Sequence, residues 1–201
     1  MTQIDLAAPP FTTRLRGDVP RERARDLLGE AMQLAGLLEI PAPPPALRWI
    51  ETFLDAYPGA FETVGDALGT VRDLRDEAVV VPALALEKLR NRQVLFFLDT
   101  VSQYVDDQPE LRGLALAHDL GEIAHEFGLA PADALWAVRM ALTAREAGPP
   151  LELLFPLLGH DRIMMRIGAI NSHLLHGRGL EPIGHGPGGV PFKTIEGTRP
   201  Q

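Results

Sequence analysis

Three histidine and carboxylate side chains recur at helical spacing and are candidate metal ligands. His118, Glu122 and His125 lie at positions i, i+4 and i+7, so a helix would place them on one face. Three ligands in a line along one helix do not complete a tetrahedral zinc site without a donor from elsewhere. The same face lies opposite an apolar stripe. A solvated polar face is therefore the favoured interpretation, and a metal-binding helical protein is a weaker alternative.

The rest of the chain lacks the residue combinations that are typical of catalytic sites. It contains no cysteine, which excludes thiolate nucleophiles, disulfides and Cys-ligated zinc. A second histidine group, His173, His176 and His185, has no carboxylate partner at a fixed spacing. The glycine-rich stretch 184–189 lacks the Lys-Ser/Thr pair and the following helix of a phosphate-binding loop. We predict no catalytic residue, no resident metal and no cofactor.

One arginine, Arg139, lies within an otherwise apolar stretch, residues 135–142. An arginine in such surroundings is either paired with a carboxylate or directed at a ligand, because an unpaired buried charge is costly. Asp133 and Glu146 are the candidate partners if the arginine is purely structural. Both interpretations stay open at this point.

The charge of the chain argues against a general nucleic-acid binder. Its 201 residues carry a net charge of −8, whereas phosphate contacts dominate the affinity of such proteins. Residues 131–178 differ, with five arginines against four acidic residues and a net charge of +1. This distribution is compatible with weak, specific RNA binding, and we expect no DNA binding.

A second group of arginines lies near the other end of the chain. Five arginines occur in residues 14–25, interrupted by Asp18, Glu22 and Asp26. One interpretation is a phosphate-contacting arm. The favoured one is a solvated helix start with charge pairs at i, i+4 spacing.

Apolar periodicity predicts helices along most of the chain, and no alternating strand pattern is present. The fold class is therefore all-α. Helices are predicted over residues 20–39, 46–57, 60–68, from Thr70 onward, 82–105, 110–127 and from residue 131 through Arg139. Thr70 and Asp73 resemble a capping box.

Proline and glycine mark three segments. We predict an N-terminal arm and helix over residues 1–45, ending in the proline-rich linker 41–45. A helical domain follows over residues 46–176. Residues 177–201 are rich in glycine and proline and poor in apolar residues, which predicts a flexible, disordered tail. Because no signal peptide and no apolar run of about 18 residues is visible, we expect a soluble cytoplasmic protein without membrane contact.

The stretch from residue 138 to residue 162 resembles the end of the anticodon-binding domain of bacterial glutamyl-tRNA synthetase. That family has a Pro-Leu-Arg-Val-Ala-Leu-Thr-Gly segment, a proline loop with a leucine, and Leu-Gly-(Lys/Arg)-x-Arg opening its last helix. The matching residues here are Val138-Arg139-Met140-Ala141-Leu142-Thr143-Ala144, Leu151, and Leu158-Gly159-His160-Asp161-Arg162. Ala144 and His160 depart from the family's glycine and Lys/Arg.

The resemblance implies a helical bundle, here with extra N-terminal helices. It also implies that this bundle binds tRNA, specifically glutamate tRNA. In the family's arrangement Arg139 would read an anticodon base, Leu151 would pack on the next base, and Thr143 would add a hydroxyl contact. Arg162 and Arg166 would hold backbone phosphates, assisted by Arg145.

The synthetase signatures His-x-Gly-His and Lys-Met-Ser-Lys-Ser are absent, so we predict a non-catalytic module connected with tRNA aminoacylation. It would work beside a synthetase or another protein partner. The alternative is a helical interaction or regulatory module that has lost RNA binding.

Overall fold

A computed structural model describes residues 8–17, 19–76, 79–108, 111, 116–176, 181–182 and 192–193 of the chain. In these residues it contains nine helices: α1 (Arg21–Leu34), α2 (Pro44–Ala56), α3 (Val64–Arg75), α4 (Ala83–Leu89), α5 (Arg92–Asp106), α6 (Leu116–Glu126), α7 (Pro131–Thr143), α8 (Leu151–Leu158) and α9 (His160–His176). Two two-residue strands, β1 (Glu181–Pro182) and β2 (Phe192–Lys193), pair antiparallel. The all-α class is confirmed.

The chain divides into two compact units, Met1–Leu74 and Arg75–Gln201. In the first unit α1 and α2 pack against each other. The proline segment 41–45, where we predict the end of an N-terminal segment, lies inside this first unit. Its last two prolines, Pro44 and Pro45, open α2, because proline's fixed φ suits the first turn of a helix.

An aromatic cluster forms the core of the first unit. Phe53 of α2 is completely buried. Its ring centroid lies 5.6 Å from Trp49, 5.1 Å from Tyr57 and 5.5 Å from Phe61. Ring pairs at these separations stabilise a core beyond the area they bury. Apolar residues of α1 and α3 complete it, including Leu27, Leu28, Met32, Leu68 and Val71.

The N-terminal segment packs onto the start of α3 instead of extending as a free arm. Phe11 is buried, and its carbonyl accepts a hydrogen bond from the Gly65 amide at 2.8 Å. The Thr13 carbonyl accepts one from the Val64 amide at 2.9 Å. These bonds satisfy two of the amides that the first turn of a helix leaves without partners.

The capping box of this region is Thr63 with Asp66, two turns before the predicted one. The Thr63 amide donates to the Asp66 carboxylate at 2.9 Å, and the Asp66 amide donates to Thr63 Oγ1 at 3.2 Å. A single helix, α3, therefore replaces the two helices predicted over 60–68 and from Thr70.

In the second unit α5, α6, α7, α8 and α9 pack around a common apolar core. α5 packs against α6, α7 and α9, and α8 packs against α6 and α9. The buried side chains include Phe97, Leu98, Val101, Leu120, Val138, Leu154, Phe155, Ile163 and Ile167. Burial of this apolar surface is the main driving force for folding.

The long helix predicted over residues 82–105 is broken in the structure. α4 ends at Leu89, and the Asn91 side chain accepts a hydrogen bond from the Gln93 amide at 2.9 Å at the start of α5. Asparagine is among the strongest N-cap residues, and its position here explains why a second helix, α5, begins after it.

The predicted helix over 110–127 is described from Leu116, since residues 109–110 and 112–115 lie outside the described part. Apart from the four residues of β1 and β2, the predicted tail 177–201 also lies outside it. No helix among the described residues is long and apolar enough to cross a lipid bilayer.

Candidate functional site

The end of α7 and the loop that leads to α8 bring together three of the six predicted site residues. Arg139 Nη1 donates a hydrogen bond to the Pro149 carbonyl at 2.6 Å. The Thr143 hydroxyl donates to the Arg139 carbonyl at 2.8 Å and accepts from the Arg145 amide at 3.3 Å. Arg139, Thr143 and Arg145 are thus tied to one loop by short-range contacts.

The loop begins with a left-handed residue. Ala144 follows α7 with φ +54° and ψ +23°. Helices often end with a residue in this conformation, which is usually glycine because a Cβ atom is disfavoured there. The structure therefore gives a conformational reason for the glycine that the resembling family has where this chain has Ala144.

Arg139 is half-buried and pairs with a carbonyl instead of a carboxylate. Among the described residues Pro149 is its hydrogen-bond acceptor, and neither Asp133 nor Glu146 forms an ion pair with it. A guanidinium has five N–H donors. The bond to Pro149 uses one of them. A Cβ atom added to Gly148 would lie 3.1 Å from Arg139 Nη1, so the glycine makes room for the guanidinium.

Arg162 and Arg166, one turn apart on α9, also donate to backbone carbonyls. Arg162 Nε donates to the Arg75 carbonyl at 2.9 Å, and Arg166 donates to the carbonyls of Leu142 and Asp76. Leu142 lies in the last turn of α7, where carbonyls lack partners within the helix. Arg166 thereby connects α9 to the end of the helix that carries Arg139.

The roles expected for Arg166 and Leu151 do not fit their burial. Arg166 is 1% exposed and Leu151 is 4% exposed. A buried guanidinium already bonded to carbonyls does not reach a phosphate, and a buried leucine does not present a face to a base. Leu151 instead starts α8, where the carboxylate of Glu152 accepts a hydrogen bond from the Ala117 amide at 3.2 Å.

Arg75 and Arg162 lie close enough for their positive charges to interact. Burial lowers the pKa of Arg75, and the nearby charge of Arg162 lowers it further. Arginine nevertheless stays charged in proteins. Because carbonyl acceptors carry no net charge, these hydrogen bonds do not balance the positive charges of Arg139 and Arg162.

His160 occupies the position where the resembling family has Lys or Arg. Its Nδ1 lies 3.1 Å from the Asp161 carboxylate and its Nε2 lies 3.1 Å from that of Asp106. Hydrogen bonding to Asp161, and next to Asp106, raises the pKa of His160 above its usual value. The histidine therefore links the end of α5 to the start of α9.

The histidine and carboxylate groups singled out in the sequence lie elsewhere. His118, Glu122 and His125 are exposed on α6, as expected for a solvated face. In the described part of the chain no three such side chains are grouped to hold a metal ion. His173 is half-buried on α9, whereas His185 and the side chain of His176 are outside the described part.

The arginines near the N-terminus contact carboxylates, but none of the described pairs has the predicted i, i+4 spacing. Arg16 pairs with Glu62, and Arg21 pairs with Asp55 at 2.6 Å. Arg25 contacts both Asp26 and Glu51, at 3.1 and 3.2 Å. Most partners are distant in sequence, so these pairs join the N-terminal part of the unit to α2 and the loop after it.

A groove between α4 and α7 has no counterpart in the sequence analysis. It encloses about 640 Å³ and includes Lys88, Trp136 and Met140. The Lys88 ammonium lies 5.3 Å from the centroid of the Trp136 ring. Trp136 and Met140 are four residues apart, a spacing that places them on one face of a helix. The sequence does not show that α4 lies beside this face, so it does not predict the groove.

Comparison with known proteins gives one family. A family model described as an anticodon binding domain matches residues 26–170, which is more than half of the chain. No curated protein matches the chain.

Proposed function

This chain belongs to the anticodon binding domain family, and we propose that it is a non-catalytic module that binds the anticodon arm of glutamate tRNA. It would act in the cytoplasm, beside the synthetase that charges this tRNA. The choice of glutamate rests on the resemblance of residues 138–162 to the domain of glutamyl-tRNA synthetase.

The observation that carries the proposal is the state of Arg139. Its guanidinium is held at one end by the Pro149 carbonyl, and no described carboxylate balances its positive charge. Proteins read the unstacked bases of RNA loops by hydrogen bonding and by stacking on arginine planes. An arginine that is positioned but not neutralised suits this role.

Arg145 and Thr143 complete the proposed contact surface. Arg145 is exposed, and Thr143 fixes its backbone through the 3.3 Å hydrogen bond. We propose that Arg145 contacts a phosphate of the anticodon loop while Arg139 contacts a base. Arg162, Arg166 and Leu151 then have a supporting role, since they hold α7, α8 and α9 in place.

The test is binding of labelled glutamate tRNA to the purified full chain at 50 mM and 150 mM salt. Arg139→Ala is expected to weaken binding about 10- to 100-fold, the loss of roughly 1–3 kcal/mol that follows removal of a base contact. Arg139→Lys keeps the charge but lacks the planar fork, so an intermediate loss is expected. A leucine tRNA should bind more weakly than the glutamate tRNA.

The matched control is Arg21→Ala, which removes an arginine that is paired with Asp55. It should leave tRNA affinity within about twofold, because surface ion pairs have little net effect on their surroundings. Gly148→Ala crowds Arg139 Nη1 without removing charge and should reduce affinity with little loss of stability. Saturable binding that ignores Arg139→Ala would disprove this site, and no binding at 50 mM salt would disprove the tRNA function.

A further inference from the structure

The groove between α4 and α7 has a floor of buried apolar side chains and an open apolar edge. Ala85 and Met140 are buried at its base, and Trp136 is half-buried beside them. Leu84 lines the groove and is 80% exposed, while Val80, just before α4, is 69% exposed. Single exposed leucines are common, but a leucine next to tryptophan and methionine forms the kind of patch that marks an interaction surface.

The charges around this groove select against RNA. Glu87 and Glu146 line it together with Lys88. The Lys88 ammonium already lies over the Trp136 ring at 5.3 Å, where the electron-rich face of the ring attracts it. One ammonium against two carboxylates leaves the groove with a net negative charge, which repels phosphates and attracts cationic side chains.

We propose that this groove binds a short basic amphipathic segment of a partner protein. One large apolar side chain of the segment packs against Leu84 and Trp136 over the Met140 floor. Lysine or arginine residues beside it pair with Glu87 and Glu146. This surface goes beyond tRNA binding and does not depend on it.

The groove and the proposed RNA site share one loop. Ala144 and Glu146 line the groove, and Arg145 lies between them. A segment bound in the groove would therefore contact the loop from one side while tRNA approaches Arg139 and Arg145. The partner is then positioned to meet the tRNA that this protein binds.

The experiment begins with a random twelve-residue peptide library displayed on phage. The library is selected on the full-length chain, and the selected peptides are then tested on the Leu84→Glu variant. Because Leu84 is mostly exposed, this substitution places a charge at the edge of the groove without disturbing the core. The expected consensus is a large apolar residue flanked by lysine or arginine.

Binding of a synthetic consensus peptide is then followed by tryptophan fluorescence. The chain has two tryptophans, so Trp49→Phe leaves Trp136 as the single reporter and keeps an aromatic ring stacked on Phe53. We expect saturable changes in Trp136 emission. Leu84→Glu should weaken binding at least about tenfold, as for a central contact, and Glu87→Gln and Glu146→Gln about two- to fivefold each.

Leu34→Glu is the matched control, since it makes the same change at an exposed leucine of the first unit. It should leave peptide affinity unchanged. Peptides that bind wild type and Leu84→Glu equally, or a consensus without basic residues, would overturn the proposal. Quenching of Trp136 by AMP or GMP, with no peptide selected, would overturn it in favour of a nucleobase site. None of these outcomes bears on tRNA binding through Arg139.

Discussion

The two units of the chain use arginine in different ways. In the first unit Arg16, Arg21 and Arg25 face carboxylates. In the second unit Arg139 and Arg162 donate to main-chain carbonyls. A carboxylate cancels the charge of the arginine it binds, whereas a carbonyl satisfies its hydrogen bonds and leaves the charge.

Counting charged residues does not reveal this difference. Residues 1–74 contain seven basic and eleven acidic residues, and residues 75–201 contain twelve and sixteen, so each unit has a net charge of −4. The difference lies in the pairing of the described arginines. A protein that is acidic throughout can therefore still present a local positive surface, and the second unit is where RNA binding is expected.

The largest expected effect comes from Arg166→Met. It leaves the carbonyls of Leu142 and Asp76 without this donor in a buried site, and we expect the free energy of unfolding to fall by about 3 kcal/mol. Arg25→Met, at the pairs with Asp26 and Glu51, should leave the free energy of unfolding nearly unchanged, because these ion pairs are screened by solvent. Urea denaturation of both variants measures the contrast, and equal losses would contradict it.

The salt dependence of RNA binding tests whether the second unit contacts phosphates. If Arg145 contacts a phosphate of single-stranded RNA, Arg145→Gln should reduce the slope of log affinity against log salt by about 0.7. Arg23→Gln, an exposed arginine of the first unit, should leave the slope unchanged. Titrations of glutamate tRNA at four salt concentrations give both slopes, and an equal decrease for the two variants would argue against a localised surface.

A smaller effect is expected at the loop that carries Arg145. Ala144→Gly relieves the left-handed conformation at φ +54° and should stabilise the protein by about 0.5–1 kcal/mol. Ala141→Gly, in the buried face of α7, should instead destabilise it by at least about 1 kcal/mol. Thermal or urea unfolding measures both, and a loss of stability in Ala144→Gly would show that the loop does not keep this conformation.

The smallest effect concerns His160, which contacts the carboxylates of Asp161 and Asp106 in the second unit. Because its pKa is raised in the folded chain, its contribution to stability is full below about pH 6.5 and is lost as the pH rises through the folded pKa. Wild type should therefore exceed His160→Gln in stability more at pH 5.5 than at pH 8.5. The His160→Arg variant should keep its stability across this interval, and a pH-independent difference between wild type and His160→Gln would refute the pairing.

The sequence predicts helices better than it predicts their ends. Thr63 and Thr70 are each followed three residues later by aspartate, so both fit a capping box. The capping box that forms is the one at Thr63, where the carbonyls of Phe11 and Thr13 also accept hydrogen bonds from the first amides of α3. These hydrogen bonds join residues about fifty positions apart in the sequence. Local patterns carry no information about such contacts.

The site shows the same limit. The isolated position of Arg139 among apolar residues draws attention to the end of α7. The burial of Arg166 was not predictable, because its acceptors Leu142 and Asp76 lie 24 and 90 residues away. The resemblance implied that Leu151 packs on a base, yet it is the first residue of α8 and is buried.

The contacts of the N-terminal segment with α3 affect which residues a fragment must contain to keep the start of that helix stable. The family match begins at residue 26, inside α1, yet Val64 and Gly65 donate to carbonyls of Thr13 and Phe11, which precede it. A fragment cut to residues 26–170 would lose these acceptors and the first turn of α1. Exchange of the Val64 and Gly65 amide hydrogens with deuterium should therefore be slow in the full chain and fast in the fragment.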